Sequence, residues 1–115
     1  MADLLLLPED LLAGAVLIYD VTIPAQVLQP AASGSAQTRE MVVQLRPLTI
    51  GIFQLIMKAG RQDTGLIPLL IIKEALVQPA LSLEQVKQLP LGLVNFLIAH
   101  IREISGLTEI GRAHV

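Results

Sequence analysis

A stretch near the middle of the sequence would be apolar on almost every side if it were helical. The pattern predicts a helix that starts at Asp63 or Thr64 and runs through Gln78, where Pro79 stops it. Its apolar residues are Leu66, Ile67, Leu69, Leu70, Ile71, Ile72, Ala75, Leu76 and Val77. A helix with no polar face has to be enclosed by the rest of the chain. We therefore expect this helix to be a central, buried element of the fold.

The chain contains more aliphatic residues than a small domain can bury. Among 115 residues there are 22 Leu, 12 Ile and 9 Val, but only two Phe, one Tyr and no Trp. A domain of this length buries about two thirds of its unfolded surface, so part of the aliphatic surface should stay exposed. Because contiguous exposed apolar patches usually contact other proteins, the composition predicts that the protein self-associates as a homo-oligomer.

Two segments in the first half have the residue pattern of strands. Residues 15–24 are rich in β-branched residues, and residues 39–46 alternate between an apolar and a more polar face. Residues 25–29 lie between two prolines, which favours a turn or an edge segment. Residues 31–38 are small and polar, which indicates a mobile loop. Together these segments predict a β-hairpin, which needs other elements to pack on.

The pattern changes from strand to helix after Pro47. Thr49 can cap a helix over Ile50–Ala59, because its side chain can accept a hydrogen bond from a free backbone N–H of the first turn. Gly60 stands where a residue just beyond a helix end is expected. The sequence therefore predicts the first helix after the hairpin with both of its ends.

Two further helices are predicted in the last third of the chain. Ser82 and Gln85 have the spacing of a capping box, which opens a short helix that ends at Leu89. A last helix covers residues 91–105 and stops at Gly106.

These elements predict an α+β fold, with an N-terminal β-hairpin packed on a bundle of three to four short helices. Residues 15–107 are expected to form a single domain. Residues 1–14 are expected to be an N-terminal segment outside it, and residues 108–115 a flexible C-terminal tail.

The residues needed for catalysis or metal binding are scarce. The sequence has no Cys and only two histidines, His100 beside the apolar stripe of the last helix and His114 next to the C-terminus. Zinc sites use Cys, His and carboxylate ligands in sets that this chain cannot easily supply. An enzyme would need an acid–base pair that converges on His100. We expect no catalytic residues, no cofactor, no metal and no enzymatic activity.

Charge and hydropathy disfavour nucleic acid and membrane. The net charge is -2, so the chain lacks the basic surface of a nucleic-acid-binding protein. The longest strongly apolar uncharged stretch, residues 88–101, is shorter than the roughly 20 residues of a membrane span. Residues 1–12 lack the basic region of a signal peptide. These features predict a cytoplasmic protein that binds no nucleic acid and does not span a membrane.

Two short motifs resemble those of a known family. Residues 45–49 read L-R-P-L-T at the end of a predicted strand, directly before a helix, and residues 75–86 read A-L-V-Q-P-A-L-S-L-E-Q-V. Over residues 15–107 the pattern resembles the tail assembly chaperones, small proteins encoded with phage tails and related contractile injection particles. This resemblance implies a protein without catalytic residues that keeps the long, helical tape-measure protein soluble during tail assembly.

The last helix is the candidate partner-binding element. Its apolar stripe is wider than packing on a single neighbour would require, so we expect part of it to face outward and bind an amphipathic segment of the partner. The candidate residues are Leu93, Phe96, Leu97 and Ile101. The basic residues that lie among aliphatics, such as Arg46 and Lys73, fit either a solubilising rim or the polar rim of such a groove.

Composition leaves other functions open. A structural subunit that is retained in a phage tail or contractile injection particle would need the same apolar interfaces as a chaperone. A small-molecule binder would use an apolar pocket between the hairpin and the helices. The sequence alone does not show where the interfaces of such a subunit, or the pocket of such a binder, would lie.

Overall fold

The computed structural model describes residues 5–28 and 41–107. In chain order the elements are α1 (Pro8–Leu12), a 3₁₀ helix (Ala13–Val16), β1 (Tyr19–Ile23), α2 (Ala25–Leu28), β2 (Met41–Leu45), α3 (Ile50–Ala59), α4 (Leu66–Ala75), β3 (Leu76–Gln78), α5 (Leu83–Val86) and α6 (Leu91–Ile104). The described strands form one antiparallel sheet in the order β1-β2-β3. The α+β class predicted from the sequence is confirmed, and the antiparallel β1–β2 pair forms the predicted hairpin.

Strand β1 is shorter than the sequence predicts. It pairs with β2 in register from Tyr19 opposite Leu45 to Ile23 opposite Met41. Pro47 follows β2 closely and has no N–H to donate to a ladder, so residues before Tyr19 have no strand to pair with. They form a 3₁₀ helix and an irregular stretch instead. The predicted start of the first strand at residue 15 is therefore wrong.

The connection between β1 and β2 begins with a single helical turn. Ala25–Leu28 forms α2, where the sequence predicts a turn or an edge segment. The predicted loop over residues 31–38, the first two residues of the second predicted strand and the predicted tail over residues 108–115 lie outside the described residues.

A third strand replaces the predicted end of the central helix. The helix ends at Ala75 rather than Gln78, and Leu76–Gln78 pairs with β2 as β3. The backbone N–H of Arg46 donates to the carbonyl oxygen of Ala75 at 2.9 Å, next to this pair. The prediction was wrong because a short apolar run fits a buried helix and a buried strand equally well. Residues 76–78 form a strand because they can hydrogen-bond to the edge of β2 that β1 does not occupy.

Local capping interactions start α3 and α5 and end α6 where the sequence predicts. In contrast, α4 begins at Leu66 rather than at Asp63 or Thr64, and α5 ends at Val86 rather than at Leu89. The Thr49 hydroxyl accepts from the backbone N–H of Ile52 at 3.3 Å, which starts α3 as expected. Ser82 and Gln85 form the predicted capping box, with backbone N–H to side-chain distances of 2.9 and 3.2 Å. Gly106 ends α6 with a φ of 82°, in the left-handed region that favours glycine.

Gly60 has a different role from the one that its position predicts. Its φ is -86°, so it does not use the left-handed conformation expected after a helix end. A Cβ at this position would overlap the side chain of Ile67. Glycine is therefore required here by the close approach of α3 to α4, and not by backbone conformation.

The core lies between the sheet and the helices that follow it. Helix α4 packs against α3, α5, α6 and β3, which confirms its predicted central position. The expectation that the helix is buried is wrong, because only Ile72 and Ala75 of its ten residues are buried. All the buried side chains except Ile56 of α3 form a single cluster: Val21, Ile23, Leu45, Ile72, Ala75, Leu76, Val86, Leu93, Val94, Leu97 and Ile101. No polar or charged side chain is buried in the described ranges. The core is therefore almost entirely aliphatic.

The first described residues lie off this core. Residues 5–18 are all exposed, and Leu5, Leu11 and Val16 are at least 72% exposed. The backbone N–H of Leu7 donates to the Asp10 carboxylate at 2.8 Å, which stabilises the first turn of α1. We call residues 5–18 the N-terminal arm. No helix in the described ranges has the length and apolarity needed to cross a membrane.

Candidate protein-binding cleft

The structure places most of the predicted partner-binding residues in the core. Leu93, Leu97 and Ile101 are 7%, 2% and 0% exposed, and Phe96 is half-buried. The expectation that Leu93 faces outward is wrong. Helix α6 is contacted by both α4 and α2, so its buried face is wider than packing on one neighbour would produce.

Leu93 and Leu97 nevertheless border an open space. They form part of the wall of an apolar cleft of about 220 Å³ at the end of the sheet. The other lining residues are Ile23, Leu28, Met41, Val42, Val43, Leu76, Pro79, Leu81 and Leu89. Every lining side chain is apolar. Leu93 and Leu97, two of the four predicted residues, therefore lie at the floor of a cleft and not on an exposed helix face.

The cleft is built where four parts of the chain meet. Ile23 and Met41 form the last residue pair of the β1–β2 ladder, and Leu28 stands at the end of α2. The segment that carries Leu81 and Leu89 flanks α5, whose start is fixed by the capping box. Helix α6 closes the remaining side. The position of the cleft therefore depends on long-range pairing as well as on local capping.

The mouth of the cleft is marked by exposed residues of β2. Met41 is 48% and Val42 is 58% exposed, whereas Leu76 and Leu97 are buried. The cleft therefore has an apolar rim that is accessible to solvent and an apolar floor that is buried. Such a site can bind an apolar group by removing its surface from water, and it offers no side-chain hydrogen bond to fix a polar ligand.

His100 has a structural environment. Its Nδ1 lies 3.1 Å from the carbonyl oxygen of Phe96, and its ring packs on the Phe96 ring with a centroid distance of 4.4 Å. Because a carbonyl oxygen only accepts, Nδ1 is the protonated nitrogen when this bond forms. Within the described ranges, no group of three His, Cys, Asp or Glu side chains is close enough to hold a metal ion.

A second, shallower apolar groove lies between α3 and α4. It has a volume of about 190 Å³ and includes Ile52, Leu55 and Leu70, with Glu74 at its side. The Arg46 guanidinium contacts Glu74 at 4.0 Å, and Lys73 contacts it at 3.9 Å. Exposed ion pairs of this kind add little stability. Glu74 lines the groove itself, and Arg46 and Lys73 contact the groove only through Glu74.

Sequence reasoning placed residues 1–14 outside the domain, which agrees with most of the arm, but it missed most of the cleft. The local signal for the arm is the run of four leucines at residues 4–7, which Pro8 and the carboxylates of Glu9 and Asp10 close before a longer buried helix can form. No local signal identifies the cleft. Its lining comes from residues far apart in the chain, and the hydrophobic pattern marks them only as apolar.

Comparisons with known proteins add no relative: no protein-family model matches the chain, and neither a curated protein nor a solved structure matches it. Fold and surface together define an α+β protein with an apolar cleft and an exposed aliphatic arm.

Proposed function

We propose that the protein is a non-enzymatic assembly protein that binds an aliphatic side chain of a protein partner in the cleft. The observation that carries this proposal is the all-apolar lining of the cleft with its exposed rim at Met41 and Val42. A hydrophobic anchor from a partner helix or strand would fill such a site in the way that helix-in-groove complexes do.

The size of the cleft favours a side chain over a small molecule. Ligand pockets usually measure about 300–1,000 Å³, and this cleft has only about 220 Å³. That volume has room for one or two branched side chains but is small for a lipid-like ligand. The absence of polar lining residues points the same way, because small-molecule sites usually include a few polar groups that orient the ligand.

A single anchor gives weak binding, which suits a protein that must release its partner. Burying one Leu or Phe side chain contributes about 1.5–3 kcal/mol, whereas association costs about 4 kcal/mol or more in lost freedom of motion. Useful affinity therefore requires several clefts that act together on one long partner. A homo-oligomer would supply those clefts, and the aliphatic excess of the chain supports self-association.

The resemblance to tail assembly chaperones supplies the identity of the partner in this proposal. A tape-measure protein is long and helical, so it would present apolar side chains at regular intervals to successive clefts. We propose that the protein keeps this partner soluble in the cytoplasm. A structural subunit of the same particle would use the same surfaces, and mass spectrometry of purified particles separates the two, because a subunit is present in stoichiometric amount and a chaperone is absent.

The test is co-expression of the tape-measure protein with a variant whose cleft mouth carries a charge. Val42→Lys places an ammonium group at the rim, where an apolar anchor would have to desolvate it. Because Val42 is exposed, the change in stability should stay below about 1 kcal/mol. We expect the variant to melt close to the wild type and to lose the ability to keep the partner soluble.

Leu55→Lys is the matched control. Leu55 is 62% exposed and lies in the α3–α4 groove, away from the cleft. We expect it to keep the partner soluble. If Leu55→Lys loses the partner and Val42→Lys keeps it, the binding site is the α3–α4 groove and the cleft proposal is wrong. If the wild type does not solubilise the partner, the proposed function is wrong.

A further inference from the structure

Met41 is a core-facing residue of the sheet that is nevertheless exposed. It stands opposite Ile23 in the last residue pair of the β1–β2 ladder, and residues directly opposite each other lie on the same face of a sheet. Ile23 is 2% exposed, and Leu45, which shares this face of β2, is fully buried, whereas Met41 is 48% exposed. The side chain of Met41 forms part of the cleft wall. Met41 therefore continues the core face of the sheet into the open cleft.

Among the described residues that line the cleft, Met41 has the only unbranched side chain. The others are Ile, Leu, Val and Pro, whose side chains are branched or cyclic. Those at the floor, such as Leu76 and Leu97, are also held in place by core packing. Methionine has three rotatable bonds and a polarisable sulfur, and it adapts to spaces of irregular shape. Met41 is therefore the part of the wall that can most easily change shape.

The exposure of Met41 leaves its side chain free to change rotamer. Its neighbour Val42 is 58% exposed, so the two residues form a rim that is open to solvent. Exposed side chains change rotamer within picoseconds to nanoseconds. A rotamer of Met41 that points into the cleft reduces the space for an anchor, and one that points toward solvent enlarges it. Neither change requires a core residue to move.

We propose that Met41 determines which anchor side chains the cleft accepts, because its rotamer adjusts the cleft to branched aliphatic side chains and to the larger phenylalanine ring. The inference rests on the proposed function and names the chemistry of the partner, which is a segment whose apolar anchors differ in size. Flexible, methionine-containing surfaces bind varied partners for the same reason. A wall of stiff, branched side chains alone would discriminate between anchors of different size.

Replacing Met41 with isoleucine tests this role, because the change keeps the wall apolar and removes its flexibility. The two side chains have similar volumes, but the β-branched isoleucine is restricted at χ1. The probes are the N-acetyl methylamides of leucine and phenylalanine, which each present one anchor side chain. Titration of the full-length protein is followed by NMR of labelled leucine methyl groups. The signals of Leu93 and Leu97 at the cleft floor report binding in the wild type and in the variants alike.

The expected result is a change in selectivity. We expect the wild type to bind the two probes with dissociation constants within about threefold of each other. Met41→Ile should leave the constant for the leucine probe within about twofold and raise that for the phenylalanine probe about tenfold. Met57→Ile is the matched control, because Met57 lies on α3 and does not line the cleft. It should bind both probes as the wild type does, and thermal melts confirm that each variant is folded.

A structural role of Met41 would give a different result. If Met41→Ile weakens both probes equally, or changes neither constant, the inference is overturned. A wild type that binds neither probe at the cleft overturns it as well. If Met41→Ile changes the selectivity but the wild type does not keep the tape-measure protein soluble, the proposed function alone is wrong. If the wild type keeps this partner soluble and Met41→Ile leaves the ratio of the two constants unchanged, the inference alone is wrong.

Discussion

Truncation of Leu97 tests whether the cleft is an open feature of the folded protein. Leu97 is 2% exposed, packs in the core cluster and forms part of the cleft wall. Replacing a buried Leu or Ile by Ala costs about 2–5 kcal/mol, and the cost rises with the volume of the empty cavity left behind. In Leu97→Ala the lost side chain enlarges a space that already opens to solvent, so no sealed cavity forms. We expect a cost near the lower limit, about 2–3 kcal/mol.

Ile72→Ala is the comparison for this measurement. Ile72 is fully buried and does not line the cleft, so its truncation leaves an enclosed cavity and should cost about 3–5 kcal/mol. Urea denaturation of both variants gives the two free energies of unfolding with the same slope. If Leu97→Ala costs as much as Ile72→Ala, position 97 is enclosed and the cleft does not open to solvent. If it costs less than about 1 kcal/mol, Leu97 is not a core residue.

Two further predictions concern helix ends and are independent of the cleft. Ser82→Ala should lower the free energy of unfolding by about 0.5–2 kcal/mol, because the backbone N–H of Gln85 loses its acceptor; chemical denaturation measures the loss, and an unchanged midpoint would mean that α5 does not depend on this cap. Gly106→Ala should cost about 1–2 kcal/mol, because a Cβ is unfavourable at a φ of 82°; a melting temperature equal to that of the wild type would show that α6 ends in another conformation.

The sequence was a good guide wherever short-range interactions decide the structure. The starts of α3 and α5 depend on Thr49, Ser82 and Gln85, which bond to backbone groups three residues away. At the end of α6, Gly106 has a positive φ and the backbone N–H of Leu107 donates to the carbonyl oxygen of Arg102. Interactions of this range are fully contained in the local sequence, so their residue types and spacing are sufficient to predict them.

Features that depend on distant parts of the chain were not predictable in the same way. Leu76–Gln78 becomes a strand because β2 offers an open edge, and nothing within these three residues requires it. The width of the buried face of α6 depends on α2, which packs against it from far earlier in the chain. The α+β class could be predicted because it depends only on which segments are helices and which are strands. The cleft could not be predicted because it depends on how these elements are arranged in space.

The central claim, that the cleft mouth binds the partner, is tested most directly by a photo-crosslinking amino acid placed at Met41 in the otherwise wild-type protein. Met41 is 48% exposed at the rim of the cleft, and Ile50, which is 77% exposed on α3, is the reference position. After co-expression with the tape-measure protein and irradiation, we expect cross-linked partner from position 41 and little from position 50. Equal cross-linking from both positions, or cross-linking from position 50 alone, would contradict binding at the cleft.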